Sequence, residues 1–142
     1  MKLMIDTNIL LDLLFQRNDF ANIQALFRFL NTSDNEAYIS ASSVTDLFYI
    51  VRRSTHDTQK TYELLEHILE LVTILPATSK DISCAFQQKW RDFEDCVLYT
   101  IAQKNGISAI ISNNKKDFED NAIQIYTAKE YLDLQQTSGR RC

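Results

Sequence analysis

The stretch Met1-Lys2-Leu3-Met4-Ile5-Asp6-Thr7-Asn8-Ile9-Leu10-Leu11-Asp12-Leu13-Leu14-Phe15 opens the chain, and its reading decides the fold. Residues 2–6 have the continuous apolar character of a strand buried on both faces, and residues 9–15 read as an apolar helix. Asp6, Thr7 and Asn8 fall at the turn between them. The run imitates the start of a secretion signal. Asp6 and Asp12 interrupt it, however, and no small-residue cleavage site follows, so it is read as part of the folded domain.

Four more short β-type runs follow, at residues 37–40, 71–75, 109–112 and 122–126. Helix-like segments lie between them. Phe20, Ile23, Phe27 and Leu30 keep a helical rhythm, as do Tyr62, Leu65, Leu69 and Val72. Gly106 after Lys104 and Asn105 suits a helix C-terminus. Thr127 and Glu130 have the spacing of a capping box that starts a last helix. Strands alternating with helices predict an α/β fold: a mostly parallel five-stranded sheet with helices on both faces. One domain over residues 1–136 accounts for the length, with residues 137–142 as a frayed tail.

Composition narrows the classes. Apolar residues make up 45% of the 142 and charged residues 24%, which excludes a disordered chain. Two glycines and one proline leave little material for long loops. No stretch approaches the 18 apolar residues or so of a membrane span. Cys84, Cys96 and Cys142 are an odd number without a CxxC pair, so reduced thiols and a cytoplasmic setting are expected. With only two histidines beside them, a Cys/His zinc site is not expected. The net charge of −4 argues against binding nucleic acid by basic surface alone, unless the acids converge on one spot.

In open parallel sheets ligands bind beyond the carboxyl ends of the strands, so the polar residues there matter most. Asp6 follows the first strand, where a helix N-cap is the plain alternative to a ligand. Asp12, within the next helix, is read as a surface residue or a local salt-bridge partner. Asp46 follows the second strand, and a cap explains it as well as a ligand role does. Asp92 and Asp95 stack one turn apart on one helix face, with Glu94 read as pointing away into solvent. Such like charges repel by about 1 kcal/mol at 4 Å in water, and by about 4 at an effective dielectric of 20. After the fourth strand, Ser112-Asn113-Asn114-Lys115-Lys116-Asp117 makes a polar turn, either a solvated rim or a phosphate contact. Together Asp6, Asp46, Asp95 and Asp117 fall on one rim of the predicted sheet. Four carboxylates held together imply a hard divalent cation with oxygen ligands, Mg²⁺ or Mn²⁺.

At these residues the chain resembles the PIN domain family, and within it the small VapC-type ribonuclease toxins. The resemblance is carried by Met4-Ile5-Asp6-Thr7-Asn8-Ile9-Leu10, by the interval from Asp92 and Asp95 to Gly106, and by Ile110-Ile111-Ser112-Asn113-Asn114-Lys115-Lys116-Asp117-Phe118. It implies a metal-dependent endoribonuclease in which Asp6 and Asp95 hold the ion. Asp46 and Asp117, or Asn114, would complete the shell, and Asp92, Asn8, Asn114 and Ser112 would orient it from behind. Arg52, Arg53, Lys115 and Lys116 are the expected RNA-backbone contacts. The resemblance also implies a homodimer and an antitoxin partner protein. Two departures stand out. Many relatives have glutamate where this chain has Asp46, and Thr-Arg-Asn or Thr-Arg-Asp where it has Ser112-Asn113-Asn114.

Rival readings differ in chemistry. A PIN-like module that binds RNA or protein without cutting would use the same surface. A haloacid-dehalogenase-type phosphatase needs a second aspartate where Asn8 stands. A phosphotransfer receiver needs an aspartate where Leu75-Pro76-Ala77 stands.

Overall fold

A computed structural model describes residues 1–139, with side chains through residue 136. Five strands form one sheet: β1 (Lys2–Ile5), β2 (Glu36–Ser40), β3 (Thr73–Leu75), β4 (Ala109–Ile111) and β5 (Gln124–Tyr126). The helices are α1 (Thr7–Phe15), α2 (Phe20–Asn31), α3 (Ala41–Thr55), α4 (Thr58–Leu69), α5 (Ser79–Gln88), α6 (Phe93–Lys104) and α7 (Ala128–Gly139). A short 3₁₀ turn, Lys115–Asp117, follows β4.

All four strand pairings are parallel, in the order β3-β2-β1-β4-β5. The chain therefore builds outward from β1 through β2 to β3, then crosses back to lay β4 on the other side of β1. The order reverses between β1 and β4. Loops leaving the carboxyl ends of these two strands part in opposite directions, and the crevice between them is where a doubly wound sheet binds ligands.

The pleat of β1 explains the two cores. Leu3 and Ile5 face one way and Met4 the other, all fully buried. Leu3, Ile5, Ile39 and Ile111 pack with apolar residues of α1, α2, α3, α4 and α7. Met4 and Ile110 pack with α5 and α6, where the buried Tyr99 hydroxyl accepts from the Ile123 amide at 2.9 Å. Helices thus cover both faces, as the strand pattern predicts. The edge strands differ from that pattern. β3 is exposed at Thr73 and Ile74, and Gln124 of β5 is exposed, because each has a neighbour on one side only.

Local signals held where the backbone itself was the signal. Gly106 adopts φ +66°, and the bonds from Ile107 N–H to Ala102 O (3.0 Å) and Gly106 N–H to Gln103 O (3.3 Å) close α6 in a Schellman turn. Thr127 and Glu130 exchange both capping-box bonds, at 3.1 and 2.8 Å. The stripe predicted around Tyr62 is rotated. α4 buries Thr61, Leu65 and Ile68, leaves Tyr62 53% exposed, and ends before Val72. Helix α7 continues to Gly139, into the segment expected to fray, and residues 140–142 lie outside the described residues.

Candidate metal centre

Asp6 leaves β1 into the crevice. Its amide donates to Ile111 O at 3.0 Å, as if β1 ran one residue further beside β4. It occupies the N-cap position of α1, yet its side chain makes no cap bond. Instead the carboxylate accepts from Ser112 Oγ at 2.7 Å, and Ser112 Oγ also accepts from the Asn114 amide at 3.0 Å. Asp6 thus holds the cap position without the side-chain cap bond, and its carboxylate is tied to the neighbouring strand's exit.

Asp92 is the N-cap of α6, and one of its oxygens accepts from the Asp95 amide at 2.9 Å. That bond fixes the two carboxyls on one side of the helix start, where the helix dipole favours negative charge. Asp117 enters from the 3₁₀ turn. One carboxylate oxygen each from Asp92, Asp95 and Asp117 lie within 4.8 Å of one another. Among the described residues this is the cluster of metal-ligating groups, and Asp6 stands beside it, close enough for its charge to act on Asp95.

Burial and mutual repulsion shape the titration. The Asp95 carboxyl is pushed up to about 8, first by burial and then by the charges of Asp6, Asp92, Asp117 and Glu94. Asp6 is also raised, chiefly by burial, with the bonds from Ser112 and the Thr7 amide acting against it. Glu94 rises to about 7 through burial and the charges of Asp46, Asp6 and Asp92. Glu94 is exposed, as expected, but its nearness to the acids is what sequence reading missed. In the first turn of a helix side chains lean back toward the N-terminus, so Glu94 reaches the crevice and accepts a long bond (3.4 Å) from Thr7 Oγ1.

Among the described residues no lysine or arginine forms an ion pair with any of these five acids. The donor set is oxygen only. Clustered carboxylates with no basic partner are the arrangement a hard divalent cation fits. Arg91 and Lys116 line a cavity of about 390 Å³ with Asp92, Asp117 and Glu119, which puts positive charge at the rim and acid at the centre.

The other predicted residues scatter. Asp46 is exposed on α3, a helix capped by Ser40; it acts on Glu94 and lies outside the tight cluster. Arg52 and Arg53 sit in the last turn of α3, at the opposite end from Ser40, and Arg52 Nε donates to Thr58 Oγ1 at 2.9 Å. Lys115 pairs with Glu130. Asn8 and Asn114 border a second cavity, on the α1 side. Asp12 is buried and bonded to Arg17 at 2.9 Å, a local salt-bridge partner and not a surface residue.

The PIN domain family model matches residues 2–116, which include β1, α6 and most of the last polar turn. The chain belongs to the PIN domain family. Among its relatives, Ribonuclease VapC1 of Aquifex aeolicus (strain VF5) is 24% identical over 139 residues, 93% of this chain and 94% of that protein. PIN-fold neighbours are found in VapBC2 from Rickettsia felis bound to a promoter DNA fragment and in DNA-bound VapBC from Salmonella typhimurium. The first superposes with a TM-score of 0.70 at 17% identity, covering 89% of this chain and 98% of the other. The second has a TM-score of 0.69 at 18% identity, covering 90% and 98%. No described helix of this PIN domain is long and apolar enough to cross a membrane.

Proposed function

We propose that this PIN domain is a metal-dependent endoribonuclease, the toxin of a toxin–antitoxin pair, working in the cytoplasm. The observation that carries the reading is the Asp92–Asp95–Asp117 cluster, with Asp6 beside it, at the switch point of the sheet. Full-length similarity to a VapC ribonuclease supports it, as does likeness in fold to VapBC toxin–antitoxin structures.

Asp6, Asp95 and Asp117 would hold Mg²⁺ or Mn²⁺, with Asp92 contributing its free oxygen and Glu94 and Asp46 flanking. An ion bound there acidifies a water and polarises the phosphate for in-line hydrolysis. The residues of the chain do the rest. Ser112 fixes the Asp6 carboxylate, the Asp92 cap fixes Asp95, and the low-polarity walls from Ile5 and Ile111 limit how the acids move. Lys116 and Arg91 would meet the RNA backbone at the rim, where a cation in the acidic centre also reverses the local charge. Residues 1–136 form the catalytic unit. A homodimer and an antitoxin protein complete the proposed assembly.

The test is cleavage of a structured RNA pool by wild type and Asp95→Asn in Mg²⁺, Mn²⁺ and excess chelator. Metal-dependent cleavage that vanishes in the variant is expected. Cleavage that survives Asp95→Asn in a clean preparation would overturn the assignment. Tight Mn²⁺ binding without cleavage of any RNA would favour a binding module.

A further inference from the structure

A second polar cavity, also of about 390 Å³, lies on the α1 side of Asp6. Its size falls in the range of small-molecule sites, about 300–1,000 Å³. Its lining is unusual for a solvent groove, because the parts are pinned. The buried Asp12 carboxylate accepts from Arg17 Nε and Asn18 Nδ2, each at 2.9 Å, and from Asn113 Nδ2 at 3.3 Å. One carboxylate thus holds side chains from the α1–α2 corner and from the turn after β4. Gln16 and Asn18 take left-handed φ values of 53° and 51° to form that corner. The Arg17 guanidinium also lies over the Phe15 ring, 5.3 Å from its centroid.

What remains free lines the cavity. Arg17 uses Nε on Asp12, and its two terminal nitrogens bond nothing else among the described residues. The side-chain amides of Asn8 and Asn114, both lining the cavity, have no partner there either. Asp12 and Arg17 cancel in charge, and Asp19 leaves the wall slightly acidic, which disfavours a phosphate. A rigid guanidinium beside amides matches an uncharged purine instead: arginine pairs with the O6/N7 edge of guanine and asparagine with the N6/N7 edge of adenine. Unpaired RNA bases are read in this way, on their open edges. The place also fits. Asn8 stands two residues after Asp6, and Asn114 two after the Ser112 that binds Asp6.

We propose that this cavity, walled by Arg17 and the amides of Asn8, Asn18, Asn113 and Asn114, takes an unpaired purine of the RNA next to the scissile phosphate and so sets sequence preference. The proposal rests on the ribonuclease reading and adds a base-reading subsite to it.

The experiment uses full-length Asp95→Asn protein, so that RNA stays intact. Single-stranded RNA hexamers that differ only in one central base, A, G, C or U, are titrated by fluorescence anisotropy. In parallel, the side-chain amide signals of Asn8 and Asn114 are followed by NMR. The expected result is at least fivefold tighter binding of the purine hexamers, with both amide signals moving. Adding Arg17→Lys, or Asn18→Gly, which suits its left-handed φ, brings the four affinities to within twofold. Equal affinity for all four hexamers, or a purine preference unchanged in both variants, overturns the subsite and leaves the nuclease reading standing. Absence of RNA binding altogether overturns the subsite, and the nuclease reading then stands or falls on cleavage by wild type.

Discussion

Ser112 and Asp6, 106 residues apart in the chain, meet through a 2.7 Å hydrogen bond at the ends of adjacent parallel strands. Both side chains are buried, so the serine hydroxyl is what compensates the carboxylate for lost water. Removing it leaves a buried acceptor short of a donor, at a cost of about 1–3 kcal/mol. Ser112→Ala should therefore lower the urea midpoint and weaken Mn²⁺ binding about 10-fold or more, in line with other residues that orient metal ligands. Ser112→Thr should restore both. Calorimetric Mn²⁺ titration decides: equal affinity in Ser112→Ala and wild type would show that the bond does not position Asp6.

Asp95→Asn should separate stability from activity. Without metal, Asp95 faces the charges of Asp6, Asp92, Asp117 and Glu94, so a neutral amide relieves repulsion. The Asp95 amide still donates to Asp92, because that bond is made by the backbone. In chelator at pH 9 the variant should melt a few degrees higher than wild type, and in Mn²⁺ it should gain nothing. A lower melting temperature in chelator would mean that the acids are held by something other than a missing cation.

The same repulsion fixes how metal-free stability depends on pH. Asp95 at about 8 and Glu94 at about 7 hold protons in the folded state that the unfolded chain releases near pH 4. Raising pH through this window favours the unfolded chain, so the stabilisation present at low pH is lost between about 4 and 8. Scanning calorimetry in chelator should show melting temperature falling from pH 5 to pH 8. A divalent ion takes the place of the protons. At 100 times its Kd it adds about 2.7 kcal/mol, or about 5–10 °C for a domain of this size at roughly 2–4 °C per kcal/mol. A melting temperature insensitive to pH in chelator would contradict the raised values.

Glu94 and Asp46 make unequal claims on the site. Glu94 acts on Asp95 directly, whereas Asp46 acts on Glu94. Glu94→Gln should reduce Mn²⁺ affinity about 10-fold, and Asp46→Asn by less. If Asp46→Asn proves the more damaging of the two, α3 must move toward the cluster when metal binds.

What the sequence made legible follows a physical line. β1, the strand-end position of Asp6, the Asp92–Asp95 stacking and the Gly106 turn depend on contacts within a few residues, or on a backbone angle, and each can be read from local pattern. The burial of Asp12 and the reach of Glu94 toward the acids were illegible for the opposite reason, although the salt-bridge reading of Asp12 holds. Asp12 is buried because Arg17, Asn18 and Asn113 surround it, and Asn113 lies 101 residues away. Glu94, though exposed, meets Thr7 because α6 starts at the crevice, which helical periodicity cannot express. Tyr62 fits an apolar stripe, yet α4 rolls to bury Thr61, whose hydroxyl bonds Asp57 O at 2.8 Å. The sheet order was beyond the sequence as well, since alternation of strands and helices does not say on which side β4 returns.

The crossover that brings β4 back beside β1 also sets an order of events in biosynthesis. The ribosome makes Asp6, then Asp92 and Asp95, but Asp6 has no Ser112, and Asp95 no Asp117, until the segment from Ala109 onward has emerged. Every earlier nascent chain carries most of the acids without the strand that gathers them. The centre is therefore assembled only after β4 and the turn that follows it have been made.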